Sequence, residues 1–111
     1  MHRNSHQNED PHHLYEIYDK QEEETFKYGI SSDEIDEEGD GLSNRIRRQL
    51  NLFNLAAGWL RYFARILIKN IPGRKVAEQI EDEFIDSFID KHGKNPRGNL
   101  RKNKPNSSSK S

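Results

Sequence analysis

Residues 14–31, LYEIYDKQEEETFKYGIS, decide the fold of this chain. In residues 14–19, LYEIYD, large apolar or aromatic residues alternate with polar ones, which is typical of a β-strand with one buried face. Residues 20–25, KQEEET, form a polar turn, and residues 25–31, TFKYGIS, are a second strand rich in aromatic and β-branched residues. Two such strands joined by a short polar loop predict an antiparallel hairpin.

The middle of the chain predicts one helix and a third strand. Ser43 can cap a helix whose apolar residues recur at spacings of three and four within residues 46–60. Gly58 marks the end of this helix or a bend in it. Residues 62–68, YFARILI, are aromatic and β-branched and predict a strand, although a helical continuation also fits the pattern.

A second helix and the two polar ends complete the prediction. Residues 73–92 form the longest amphipathic segment, and Gly93 suits the position just past its end. The order β-β-α-β-α predicts an α+β fold, with a small three-stranded antiparallel sheet flanked by helices. The polar residues 1–12 and the basic residues 101–111 are expected to be disordered tails on one domain that spans residues 13–100.

Composition excludes several classes of protein. The 111 residues include no cysteine, which excludes disulfide scaffolds, thiolate zinc sites and cysteine nucleophiles. The longest apolar-rich segment, residues 52–71, is interrupted by Arg61, Arg65 and Lys69, so no stretch is apolar enough to span a membrane. The chain is therefore expected to be soluble without a membrane partner, either cytoplasmic or delivered into a target cell as part of a larger system.

The net charge of −1 hides a strong asymmetry. Residues 1–42 hold 13 acids and 3 Lys or Arg, whereas residues 43–111 hold 6 acids and 15 Lys or Arg. The acidic loop, residues 32–41, lacks the sixth-position glycine and twelfth-position glutamate of an EF-hand. The basic half suits contact with phosphate backbones, unless its cations form a solvated face or pair with the acidic half.

Glu81 is the most unusual residue of the second helix. On a helical wheel it lies between Ile85 and Phe88 within the apolar arc, whereas Asp82 and other acids of the helix lie on the opposite, solvated face. A buried carboxylate is costly without a partner. Glu81 is therefore expected to form a structural salt bridge with an arginine, to lie at a partly exposed edge of the arc, or to be a metal ligand.

Five motifs occur in the order that is typical of one nuclease superfamily. They are LYEIYD (14–19), KYGIS (27–31), SNRIRRQ (43–49), IEDEFIDSF (80–88) and NPRGN (95–99). In this order they resemble the GIY-YIG nucleases, and in particular the nuclease-like domains at the C-termini of bacterial polymorphic and Rhs-type toxins. The resemblance covers most of the chain that is expected to fold.

The resemblance assigns the motif positions residue by residue. The matching residues are Tyr15, Gly29, Ser31, Arg45 (with Arg48 as the alternative), Glu81 and Asn99. The sequence departs from the family at His13, which replaces a glycine, and at Lys27, which stands where the family usually has tyrosine. Tyr28 follows directly, and because successive strand residues point to opposite faces, only one of Lys27 and Tyr28 can enter a catalytic site.

The resemblance also implies a chemistry. The family hydrolyses phosphodiesters with a single divalent metal, usually Mg²⁺, which Glu81 would hold. Tyr15 or Lys27 would accept or relay the proton of the attacking water. Arg45 would clamp the phosphate, and Asn99 would hold a backbone or phosphate oxygen in place.

The expected partner is nucleic acid, DNA rather than RNA, with an immunity protein and a carrier protein as further partners. The residues expected to contact phosphates are Arg48, Arg61, Arg65, Lys69, Arg74, Lys75 and Arg97. An alternative function is a nucleic-acid-binding or protein-interaction module that keeps the fold without turnover, and the departure at Lys27 is the feature that favours it.

Overall fold

The computed structural model describes residues 10–99 and contains three strands and two helices in the predicted order. The elements are β1 (Pro11–Asp19), β2 (Glu24–Ser31), α1 (Asn44–Ala57), β3 (Tyr62–Pro72) and α2 (Arg74–His92). The predicted α+β fold with a three-stranded antiparallel sheet is confirmed. Residues 1–9 and 100–111, which make up most of the two predicted tails, lie outside the described residues. Within the described chain, neither helix has the length and hydropathy needed to cross a membrane.

The central strand β1 pairs with β2 on one side and with β3 on the other, antiparallel in both cases. This position buries most of β1, including Leu14 and Ile17. Because successive strand residues face opposite ways, Tyr15 and Ile17 pack against Ile46 of α1, whereas Leu14 packs against Ala77 of α2. The two helices therefore cover opposite faces of one sheet.

Three boundaries differ from the prediction. His12 belongs to β1 and is buried, although the sequence predicts a disordered tail there. β3 continues to Pro72 instead of ending at Ile68, because it pairs along almost the whole of β1, and its strand geometry rules out a helical continuation. Gly58, with a φ of 81°, ends α1, so Leu60 lies beyond the helix and is exposed.

Helix α2 buries a slightly different stripe from the predicted apolar arc. Glu81 is only 6% exposed, as its position on the wheel predicts. The prediction was wrong for Asp82, which is buried beside Ile85, and for Val76, which is exposed. The helix contacts all three strands, and its buried residues are Ala77, Glu81, Asp82, Ile85 and Phe88.

The acidic loop, residues 32–41, is held against the rest of the domain by two cations. Arg47 of α1 donates hydrogen bonds to both carboxylate oxygens of Asp40, at 2.7 and 2.8 Å. Lys69 of β3 donates to Glu37 at 3.3 Å. The loop is thus packed against α1 and β3, and part of the acidic half of the sequence pairs with the basic half.

The burial of His13 should make the stability of the domain depend on pH. Burial lowers the pKa of this imidazole below its ordinary value of 6.5, Asp33 opposes that shift and His12 adds to it. Since the unfolded chain then binds a proton more readily than the folded one, the free energy of unfolding should fall as the pH drops below 6.5. Urea unfolding at pH 7.5 and at pH 5.5 measures this fall.

The matched variant is His13→Gln, which keeps a polar side chain but does not titrate. It should lose much of the decrease in stability between the two pH values. An identical decrease in the wild type and in the variant would show that other groups cause it.

Candidate active site

Tyr15 lies at the centre of a polar cluster on the α1 face of the sheet. It is 2% exposed and pairs across the ladder with Gly29 of β2. A Cβ atom placed on Gly29 would lie 2.5 Å from the phenol ring of Tyr15, so this close approach requires glycine. Burial raises the pKa of the Tyr15 phenol, and the charge of Glu81 adds to the shift, so the phenol is protonated at neutral pH.

Lys27 shares this face of the sheet. It lies opposite Ile17 in the ladder, two residues before Gly29. Burial lowers the pKa of its amine, the Arg45 charge acts in the same direction, and the Glu81 charge opposes both. Of the two residues in the Lys27–Tyr28 pair, Lys27 is therefore the one that joins the cluster.

Gln49 connects the two strand residues. Its amide nitrogen donates a hydrogen bond to the hydroxyl of Tyr15 at 3.1 Å, and its amide oxygen accepts one from Lys27 Nζ at 3.5 Å. No motif in the sequence points to Gln49. The only signal is its position four residues after Arg45, which places both on the same side of α1.

Arg45 is the arginine that reaches the cluster. Its charge lowers the pKa of both the Tyr15 phenol and the Lys27 amine. Arg48 is exposed one turn further along α1. Both arginines are exposed, and Arg45 is the one whose charge acts on Tyr15 and Lys27.

Glu81 completes the cluster from α2. Its carboxylate is close enough to raise the pKa of the Tyr15 phenol and to oppose the lowering of the Lys27 pKa. Side chains from four elements therefore interact electrostatically or by hydrogen bonds: Tyr15 of β1, Lys27 of β2, Arg45 and Gln49 of α1, and Glu81 of α2.

Two residues of the predicted site lie elsewhere. The ring of Tyr28 packs against Phe84 of α2 with centroids 5.5 Å apart, on the face of the sheet opposite Tyr15. Asn99 holds the backbone of Tyr28: its side chain accepts from the Tyr28 N–H at 2.8 Å and donates to the Tyr28 carbonyl at 3.0 Å. Asn99 was expected to hold either a backbone oxygen or a phosphate oxygen, and its bond to the Tyr28 carbonyl is a contact with a backbone oxygen.

Most of the predicted phosphate contacts form ion pairs within the described residues. The pairs are Arg61 with Asp19, Arg97 with Asp19 and Glu24, Arg65 with Glu16, Lys69 with Glu37, and Arg74 with Glu78. Asp19 and Glu16 are buried on β1, and nothing in the sequence pattern predicts these ion pairs. Lys75, like Arg48, is exposed.

The donor set limits the kind of metal site that could form. Within residues 10–99, no three His, Asp or Glu side chains converge where they could hold a metal ion, so an all-protein cage does not fit. A single buried carboxylate does fit Mg²⁺, which keeps several waters and is often held by one or two carboxylates together with substrate phosphates. Glu81 is the carboxylate of the cluster that meets this requirement.

A comparison with known families identifies the fold. A family model described as URI fold toxin 2 (Tox-URI2) matches residues 5–93. The matched segment contains all three strands, both helices and every residue of the cluster around Tyr15. No curated protein and no solved structure matches the chain. Because the family model covers well over half of the sequence, the chain belongs to the URI fold toxin 2 family.

Proposed function

We propose that this toxin domain is a metal-dependent endonuclease of the GIY-YIG type, which hydrolyses phosphodiester bonds in DNA rather than RNA. The observation that supports the proposal is the cluster around Tyr15. A phenol, an amine, a guanidinium and a carboxylate from four different elements act on one another electrostatically there: Tyr15, Lys27, Arg45 and Glu81. Phosphodiester hydrolysis needs a proton acceptor, a cation at the phosphoryl oxygens and a metal ligand, and these four groups can fill those roles.

The charged groups would bind and orient the scissile phosphate. Arg45 is exposed and permanently charged, so its donors are available to clamp a phosphate and to stabilise developing charge. Glu81 would hold Mg²⁺, which when bound polarises the phosphoryl oxygen and lowers the pKa of coordinated water. Exposed Arg48, one turn from Arg45, would extend the cationic contact along the backbone.

The two strand residues would divide the proton transfers. The lowered pKa of Lys27 makes its amine the better proton acceptor for the attacking water. The raised pKa of Tyr15 keeps its phenol protonated, so it can donate a hydrogen bond or a proton to the leaving oxygen. Gln49 touches both groups and would fix their separation.

The alternative function, a binding module without turnover, has less support from the surface. Five of the seven predicted phosphate-contacting cations are engaged by acids of the same domain. An extended phosphate-binding surface needs cations that are available to replace counterions. The exposed cations Arg45, Arg48 and Lys75 favour local contact near the cluster over a broad binding face.

The experiment that tests the proposal incubates the purified, folded protein with plasmid DNA and with total RNA, each in Mg²⁺ or in EDTA. We expect nicking or linearisation of the plasmid in Mg²⁺ only. Cleavage of RNA alone would correct the substrate class. Intact nucleic acid in every lane, together with a measurable affinity for DNA, would support the binding module instead.

A pair of tyrosine variants tests which face of the sheet is catalytic. Tyr15→Phe removes the hydroxyl that Gln49 contacts, and we expect cleavage to slow by about 100-fold or more, the usual contribution of a positioned acid or base. Tyr28→Phe removes the same group from the opposite face, and its rate should stay within about twofold of wild type. Single-turnover rates on one duplex compare the variants, and equal rates for both would contradict the assignment of Tyr15.

A further inference from the structure

The segment after α2, residues 94–99, runs along the outer edge of β2. This edge is available because β2 pairs only with β1 in the sheet. The N–H of Gly98 donates to the carbonyl of Phe26 at 2.7 Å, and the side chain of Asn99 bonds both the N–H and the carbonyl of Tyr28. The segment therefore hydrogen-bonds to the backbone of β2 at Phe26 and at Tyr28, which are separated by a single residue.

The residue between these two contacts is Lys27. A Cβ atom placed on Gly98 would lie 2.7 Å from Cβ of Lys27, so the segment also packs against the base of this side chain. At its other end, Lys27 Nζ donates to Gln49. Both the backbone and the side chain of Lys27 are thus restrained by residues outside β2.

Arg97 holds the segment in place. Its guanidinium donates to the fully buried carboxylate of Asp19 and, at 3.2 Å, to Glu24, and it lies over the Phe26 ring at 5.2 Å. Lys94 adds a second contact to Glu24, also at 3.2 Å. A guanidinium engaged by two carboxylates and an aromatic ring would have to leave all of them to reach a phosphate.

We propose that Arg97 is a positioning residue for Lys27 and not a phosphate contact: its ion pair with Asp19 keeps residues 94–99 on the edge of β2. That Arg97 keeps residues 94–99 on β2 follows from the contacts of Arg97 and of this segment, whatever the domain's activity. Its consequence for cleavage rests on the proposed function, because Lys27 is catalytic only if the domain is a nuclease.

The first test measures hydrogen exchange at the amides of Tyr28 and Gly98 in the free protein. Arg97→Ala should speed exchange at both amides by about 10-fold or more, because their hydrogen bonds open when the segment detaches. Arg97→Lys, which keeps a cation for Asp19, should restore part of the protection. Arg47→Ala, which breaks the ion pair with Asp40 instead, should leave both amides unchanged.

Unchanged exchange in Arg97→Ala would overturn the inference, whatever the nuclease assay shows. For cleavage, we expect Arg97→Ala to lower kcat while KM and the salt dependence of DNA binding stay the same. A raised KM with a salt slope smaller by about one would make Arg97 a phosphate contact and would overturn the inference as well. If the wild type cleaves nothing, the exchange result still decides the structural role, so failure of the proposed function remains distinguishable.

Discussion

Replacing Glu81 with glutamine is expected to slow Mg²⁺-dependent cleavage by at least about 100-fold, while DNA binding remains largely intact. Glutamine keeps the size of the side chain but removes the negative charge that attracts a divalent cation. Glu81 is buried, and its charge acts on the phenol of Tyr15 and the amine of Lys27, so removing that charge changes the field at both groups. The substitution should therefore slow the hydrolysis step and not DNA binding.

A matched variant on the same helix controls for changes in α2. Glu78→Gln also removes a carboxylate, but Glu78 pairs with Arg74 four residues earlier and has no part in the cluster. Its cleavage rate should equal that of the wild type. Single-turnover rates and DNA affinities of the three proteins, with circular dichroism to establish folding, make the comparison. Equal rates for Glu81→Gln and Glu78→Gln would remove Glu81 from the site.

Of the substitutions proposed for this domain, Asp19→Asn is expected to lower the free energy of unfolding most, by about 3 kcal/mol. The Asp19 side chain is fully buried and accepts two hydrogen bonds from Arg61 at 2.8 Å, another from Arg97, and one from the Gln21 N–H at 2.9 Å. Asparagine has one acceptor oxygen and no charge, so two guanidinium groups would surround an amide. Urea unfolding followed by Trp59 fluorescence measures the loss.

The control is Asp40→Asn, which breaks a similar carboxylate–arginine contact to Arg47 at the surface. Its unfolding midpoint should stay close to that of the wild type, because exposed ion pairs contribute little. If both variants lost the same free energy of unfolding, the burial of Asp19 would not explain the contribution of its ion pairs to stability.

The Asp19 variant should also change the response to acid. The Arg61 guanidinium holds the pKa of the Asp19 carboxyl well below its usual range. This group therefore contributes stability above its unfolded-state pKa, and that contribution is lost as the pH falls through the folded-state value. Asp19→Asn should flatten this part of the acid-unfolding curve, and a curve of unchanged slope would contradict the assignment.

Local patterns in the sequence predicted the elements of the fold well. Strand alternation in residues 14–31 is a short-range signal, and it identified the hairpin that carries Tyr15 and Lys27. Gly58 and Gly93 end the two helices with positive φ angles, as glycine at these positions predicts. The buried position of Glu81 followed from helical periodicity, because the wheel placed it within the apolar arc.

Contacts between distant parts of the chain were not predictable in this way. Arg61 and Arg97 meet Asp19 across 42 and 78 residues, and no periodicity in the sequence connects them. In the sequence Gln49 is an ordinary polar residue of α1, and its contacts with Tyr15 and Lys27 depend on how α1 packs against the sheet. Asp82 was assigned to the solvated face because a helical wheel does not show which strands will pack against the helix.

Whether the domain is a Mg²⁺-dependent endonuclease that uses Glu81 is tested most directly by the initial rate of plasmid nicking. This rate is measured for the wild type and for Glu81→Gln, side by side, over a range of Mg²⁺ concentrations. The cluster around Tyr15 predicts a wild-type rate that rises with Mg²⁺ and disappears in EDTA, and a variant rate near the background at every concentration. A folded wild type that does not nick DNA would contradict the proposed nuclease function. A Glu81→Gln variant that nicks DNA as fast as the wild type would contradict the role of Glu81.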